Sequence, residues 1–452
     1  MAAVALVFPT FAHAELVADA RFGNAGIVDI ATPPGEYVAA PRVAVLSDRR
    51  IAVAALTGGA PPASRTLHLA RLLQDGRPDP TFGGGAPTAF VVSADAVDHA
   101  ALNALHVSDD GGQIAVVTLA TIDPNAPLAA STRTLLVVAG ADGDLDPAFN
   151  GGAPLVVTDA THARYRIVAL DSGFAVAGFA QDSCCETPGR ATLWRFRADG
   201  SPDPQFGDAG VVEIVSDDAS VRDAIAAAGG GLRVLYTASV GGTASSRWQR
   251  RRADGSVDAV SGDGGIEPIA GSGISRVEAL GEGRYLGMAG ASCAAHLFDA
   301  QGRALEGFDA VCVAPRITHN GKAQRYGEGI LLSGAYLSGF IPTPAEGFRV
   351  WALARDGAPD ADFAPGTSGW RPPEAPLAAY DVASDIGGGV VLVRPGDAGL
   401  RVLRFVDDRR GTVSGQPVPA LGGPALMLIG IGFVALVSRR FVLHARDARS
   451  SR

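Results

Sequence analysis

The chain has 452 residues, is 47% hydrophobic and only 19% charged, and carries 58 glycines and 29 prolines with few aromatics. Such a mixture speaks against long helices and disorder and suits many tight turns between short aliphatic strands. The formal net charge of −9 hides an asymmetry: residues 439–452 hold five Arg against one Asp, a net +4, which leaves −13 before them and argues against a nucleic-acid partner.

Residues 1–14 are a short apolar run closing on Ala12-x-Ala14, the ending of a secretory signal peptide with cleavage before Glu15. One pattern then returns along the chain: an Asp-Gly turn with a phenylalanine seven residues after the Asp. Clear copies run from Asp75-Gly76 to Phe82, Asp142-Gly143 to Phe149, Asp199-Gly200 to Phe206 and Asp356-Gly357 to Phe363. Worn copies run from Asp254-Gly255 to Ser261 and from Gln301-Gly302 to Phe308, and a truncated one ends at Phe22. A repeat of this length is one supersecondary unit that buries its apolar face on the next.

Each anchor Phe precedes a Gly-rich turn and a β-branched run, such as Gly210–Val215. A hairpin follows: Arg42–Leu46 and Ile51–Leu56, Arg166–Leu170 and Phe174–Gly178, Arg276–Leu280 and Arg284–Gly287. A fourth run leads into the next Asp-Gly turn, as in Leu67–Leu73 or Thr192–Arg197, and is expected to be an outer strand with one wet face. Seven such units fit between Asp19 and Asp408. The expected fold is all-β, a seven-bladed β-propeller of four-stranded antiparallel blades over residues 15–410. An open β-solenoid is the competing architecture, although its repeats are usually shorter.

The stretch from Phe196 to Gly207, with the hairpin after it, resembles the delta-60 repeat of bacterial envelope proteins. The resemblance covers most of residues 15–408, with Ser261 and Phe308 in degraded copies. It implies a propeller-like, envelope-associated protein and no established catalytic activity.

Candidate sites are few. Asp142, Asp144 and Asp146 alternate like the start of a calcium loop, yet Pro147 stands where such a loop needs Gly and Ala153 where it needs Glu. The other reading makes the Asp a turn acceptor, the Gly a positive-φ residue and the Phe (22, 82, 149, 206, 308 and 363) a plug between blades. No other cofactor is expected. Of the four cysteines, Cys293 and Cys312 are the disulfide candidate in an exported protein; Cys184 and Cys185 are either a vicinal disulfide or separate thiols. The sequence has no H-E-x-x-H, no G-x-S-x-G and no phosphate loop, and its one lysine is Lys322.

Residues 411–417 read as a flexible linker. Residues 418–438 carry no charge over 21 positions, enough for a transmembrane helix. Arg439-Arg440 open a basic tail, 439–452, expected to stay cytoplasmic. This end also resembles the IPTL-CTERM class of bacterial sorting segments, with Val418-Pro419-Ala420-Leu421 in the motif position but without the Ser-Glu-Trp that usually follows. A sorting segment and a plain membrane anchor both fit. The expectation is an exported, membrane-anchored binding or scaffold module facing an unknown protein or glycan at the cell surface. The rival is a polysaccharide hydrolase or lyase with its site in the central funnel; a purely structural envelope protein is the third reading.

Overall fold

The computed structural model describes residues 16–407 apart from 35, 60–62, 98, 109–110, 124–125, 160–163, 171–172, 180–188, 217–218, 241–242, 261–263, 270–272, 282, 290–294, 306–321, 327–328, 336–347, 355–357, 359, 361–362, 364–380, 385–387 and 398. Residues 1–14 and 411–452, all four cysteines, Ser261 and Phe308 lie outside the described residues. Among the described residues, no helix is long and apolar enough to cross a membrane.

Two short strands come first, β1 (Leu16–Ala18) and β2 (Ile27–Ala31). β3 (Tyr37–Val45), β4 (Ile51–Gly58), β5 (Ala63–Leu72) and β6 (Thr88–Val97) form a sheet in that order. The same order recurs in β7 (His99–Val107), β8 (Gln113–Asp123), β9 (Ala126–Ala139) and β10 (Leu155–Thr158). It recurs again in β11 (Arg164–Ala169), β12 (Phe174–Phe179), β13 (Gly189–Phe196) and β14 (Val211–Ser216). β15 (Ser220–Ala227), β16 (Gly231–Val240), β17 (Thr243–Arg251) and β18 (Ile266–Pro268) make the next sheet. Two sheets show three strands among the described residues: β19 (Ile274–Gly281), β20 (Arg284–Ala289), β21 (Ala295–Asp299), and β22 (Lys322–Tyr326), β23 (Gly329–Ala335), β24 (Phe348–Leu353). The last sheet, β25 (Asp381–Ser384), β26 (Gly389–Gly396) and β27 (Gly399–Asp407), is completed by β1 and β2, both antiparallel to β27.

The run expected to be the outer strand is instead the third. β5 leads into the Asp75-Gly76 turn and is flanked by β4 on one side and β6 on the other. The Asp-Gly element sends the chain straight back: Asp79 N–H donates to the Arg71 carbonyl at 2.9 Å, and Pro78 bridges Leu72. The run after the anchor Phe therefore pairs with the strand just left rather than opening the next sheet. The wet edge belongs to these strands, as in β14, which exposes Glu213 and Val215 and buries Ile214. The second strands are buried on both faces, and β4 and β12 accordingly read as unbroken apolar or small-residue runs.

The recurring Phe closes the junction between sheets. Phe22, Phe82, Phe149, Phe206 and Phe363 are all buried. Phe82 packs among Leu56 and Leu67 of its own sheet and Leu102 and Val117 of the next. The following repeat supplies the lid. Gly143, at φ +90°, lies so close that an added Cβ would stand 3.0 Å from the Phe82 ring, a conformation and clearance that only glycine provides. Beside it, Gly83 N–H donates to the Asp142 carbonyl at 2.6 Å. The same bond joins Gly23 to Asp75 (2.8 Å), Asn150 to Asp199 (2.9 Å) and Gly207 to Asp254 (2.8 Å). The worn copy at Asp254-Gly255 thus keeps its turn and caps Phe206. The junction after the copy that ends at Ser261 departs from the one-Phe rule: Trp248 meets Phe298 at 5.1 Å and Tyr285 at 5.5 Å between ring centroids.

The truncated copy at Phe22 is the missing end of the last unit. Asp19 N–H donates to the Arg404 carbonyl at 2.9 Å, as Asp79 does to Arg71 and Asp203 to Arg195. The N-terminal segment thus supplies the Asp and Phe that the C-terminal sheet lacks.

A buried arginine accompanies the turn in three places. Arg71 Nε donates to Asp79 at 2.6 Å, Nη1 donates to the Gly111 carbonyl of the next sheet at 3.1 Å, and the guanidinium lies 4.8 Å from the Phe82 ring centroid. Arg195 pairs with Asp203 at 3.1 Å and reaches the Gly230 carbonyl at 3.1 Å. Arg404 stands 3.6 Å from Asp19 and donates to the Gln74 carbonyl. Burial works against the charge of Asp79, but the Thr81 hydroxyl and amide, Arg71 and Arg50 outweigh it and hold the carboxyl well below the usual carboxylate range. A depressed folded value stabilises above the unfolded value, about 3.9, and is lost as pH falls further. Urea midpoints of the wild type should therefore drop below about pH 4, with a shallower acid limb in Asp79→Asn. Equal limbs in the two proteins would remove Asp79 from the account.

One core position is badly filled. Gln113 is fully buried and, among the described residues, neither of its side-chain polar atoms has a hydrogen-bond partner. Ile51, Phe174 and Leu232 hold the corresponding place in three other sheets, each opposite the third residue before the Asp-Gly turn. Gln113→Leu should raise stability by about 1–3 kcal/mol, the cost of a buried unpaired amide. Thermal unfolding checks this, and an unchanged or lower Tm would contradict it.

Candidate functional site

The first strand of each sheet touches the first strand of the next: β3 meets β7, β7 meets β11, and so on through β15, β19, β22 and β25, which meets β3. This succession puts the first strands of the described sheets side by side, and one register position on them forms a layer. It is the first-strand residue paired with the second-strand position three beyond Ile51, or beyond Ile51's counterpart in each other sheet. Its occupants in ring order are Arg42, Ala104, Arg166, Asp223, Arg276, Lys322 and Asp381. In β3, β7, β15 and β19 the register shifts immediately before this position. Such bulges re-aim a side chain at a sheet edge.

Three members of the layer, Arg166, Asp223 and Arg276, join Glu278 in a charge network across three sheets. Arg166 on β11 pairs with Asp223 on β15 at 3.0 Å and passes over that strand to Glu278 on β19 at 2.8 Å. Arg276 Nε donates to the other oxygen of Glu278 at 2.8 Å. Asp223 is also tied to backbone, accepting from Ala224 N–H and from Val277 N–H of the next sheet, each at 2.9 Å. Asp381 does likewise with Val43 N–H across the sheet junction, at 2.9 Å. Glu278 is held differently, by guanidinium groups. Burial opposes its charge, but Arg166 and Arg276 prevail and keep its carboxyl below the ordinary glutamate value. Burial also opposes the charge on Arg166, and Asp223 and Glu278 more than offset it, raising the guanidinium pKa.

Arg42, Arg166 and Arg276 each open a first-strand hairpin run in the sequence, so a recurring Arg was the available signal. Asp223, Asp381 and Glu278 gave no such signal, because each makes its contact across a junction between sheets.

The acidic triplet lies elsewhere, on a turn. Asp142 accepts from Asp144 N–H at 3.1 Å and Asp146 from Ala148 N–H at 2.9 Å, the same bonds that Asp75 and Asp79 make with Arg77 and Thr81. Among the described residues, no group of three or more His, Cys, Asp or Glu is gathered so as to hold a metal ion. The described anchors Phe22, Phe82, Phe149, Phe206 and Phe363 are buried at the sheet junctions.

Residues 46–82 match a protein family described as a domain of unknown function (DUF5122) beta-propeller. The matched stretch spans β4, β5 and the turn to Phe82. No curated protein matches the chain. Among solved structures, a Dyadobacter fermentans protein of unknown function is similar at 12% identity and TM-score 0.40, over 84% of this chain and 98% of that one. The prolyl oligopeptidase B of Galerina marginata is similar at 11% identity and TM-score 0.44, over 81% of this chain and 48% of that enzyme. An α-L-arabinofuranosidase of Lactobacillus brevis is similar at 10% identity and TM-score 0.32, over 76% of this chain and 99% of that one. At such identities and scores these likenesses carry no argument about what this chain does.

Proposed function

We propose that the chain is a seven-bladed β-propeller, exported and held at the bacterial cell envelope by its C-terminal segment, that serves as a non-enzymatic binding or scaffold module. In favour of seven blades stand the unbroken succession of first-strand contacts from β3 round to β25 and back, and the completion of the last sheet by β1 and β2. Export and anchoring rest on residues 1–14 and 418–438, and an exported body would suit a Cys293–Cys312 bridge.

The observation that carries binding over hydrolysis is the pairing of Asp223 and Glu278 with guanidinium groups. A hydrolase needs an acid held protonated near neutral pH, usually by burial without a counter-ion. Here Asp223 and Glu278 both face guanidinium groups, and Glu278 is driven toward the ionised form. Residues arranged this way can hold and orient a charged group but are poorly set to donate a proton. The test incubates the purified body with cell-envelope fractions. Saturable association without shortening of glycan chains is the expected result. Release of sugar fragments, lost in Glu278→Gln, would replace this reading with the hydrolase.

A further inference from the structure

The first strands of this acidic protein are rich in cationic residues. The seven first strands together carry seven Lys or Arg against three Asp or Glu, a net of +4. The chain as a whole stands at −9. An excess of cations on one set of strands in a negative body attracts an anion to them.

Within that region Glu278 shows what the site is shaped to hold. Its two oxygens face Arg166 and Arg276, guanidinium groups from sheets on either side of β15, the fork-and-carboxylate geometry that Arg favours. Asp223 and Asp381 are fixed to the backbone of the neighbouring sheet and belong to the framework. Glu278 is held by side chains, on flexible guanidinium arms. Arg166, Glu278 and Arg276 retain side-chain exposures of 20%, 17% and 29%, so the trio is not sealed from solvent.

We propose that Arg166 and Arg276 form a binding site for a carboxylate-bearing ligand entering along the axis, with Glu278 as the resident carboxylate that the ligand displaces. The ligand's carboxylate takes the place of the glutamate between the two forks, and Glu278 swings toward solvent. No bond is made or broken covalently. Glu278 then acts as a built-in competitor that sets the threshold for binding. This site deepens the reading of the protein as a binding module and rests on it.

The experiment measures binding of trigalacturonate, a triglutamate peptide, neutral galactotriose and inorganic phosphate to the full chain by calorimetry. A carboxylate carried by sugar is read from the first probe and one carried by peptide from the second. At least one of them should bind the wild type, with galactotriose and phosphate silent. Glu278→Gln should bind that same probe about tenfold more tightly, because the clamp is no longer occupied. Arg276→Gln should weaken it by a similar factor, with its unfolding curve showing that the fold persists. A merely structural network predicts the opposite for Glu278→Gln, which would then bind no better than the wild type. That result, equal binding of phosphate, or no binding of either carboxylate probe overturns the site. If envelope fractions still bind saturably in those cases, the binding-module reading survives and this site alone falls.

Discussion

Deleting residues 16–31 is expected to unfold the protein or leave it aggregated at room temperature. The deletion strips β1 and β2 from β27 and removes buried Leu16, Phe22 and Ile30, along with Asp19 beside Arg404. Loss of a buried Phe alone costs about 3–5 kcal/mol. Whole domains are stable by only about 5–15 kcal/mol, so losing two strands and a buried ion pair as well exhausts most of the margin. Circular dichroism and light scattering on the truncated chain check the outcome. A circular permutant is the control. Leu16 pairs with Asp407, so a short linker can join those ends while new termini are opened at the Gly83–Gly85 turn. That protein should keep a cooperative transition. A truncated chain that unfolds at the wild-type temperature would show that the N-terminal segment is dispensable.

The second large effect is expected at Phe82. Phe82→Ala should cost about 3–5 kcal/mol, since the ring is buried between two sheets and its neighbours are backbone and packed side chains that cannot collapse into the space. The damage should spread across the junction, because Gly143 rests on the ring and Arg71 lies over it. Phe82→Leu should recover part of the loss and Gly143→Ala should reproduce much of it, as an added Cβ would press on Phe82 from the next sheet. Urea denaturation of the three variants tests the ranking. A Phe82→Ala protein within about 1 kcal/mol of the wild type would mean that the recurring aromatic is not what seals the junctions.

Much of this architecture was legible in the residues because the repeat is local. The Asp-Gly turn, the Phe seven residues on and the hairpins beginning at Arg42, Arg166 and Arg276 all lie within short windows, where turn chemistry and period-two patterns operate. Assignment of the outer strand was not local. Whether the run after Phe206 pairs backward onto β13 or forward into the next sheet depends on the return made by Asp203 through the Arg195 carbonyl, and Val211–Ser216 reads as a strand either way. The role of Arg71 and Arg195 was hidden for a related reason, since both sit in strands whose alternating pattern allows a wet face for them, yet both are buried. Substitution of the anchor by Ser261 read as decay. Trp248 and Phe298 occupy that junction from other strands, a compensation that only three dimensions disclose. The axial network lay furthest from view, since Arg166, Asp223 and Glu278 share no motif.

The sheet shared between the two chain ends also governs when the molecule can finish folding. During translation β1 and β2 are made before the other described strands, yet their partner β27 follows all of them. A nascent chain must therefore carry two orphan strands, one of them bearing Ile30, until β27 has been made. Pairings of such high sequence separation form slowly and leave apolar edges open meanwhile. The interval before β27 arrives is thus when this protein most needs a chaperone, and a product that stops short of β27 should be cleared rather than accumulate.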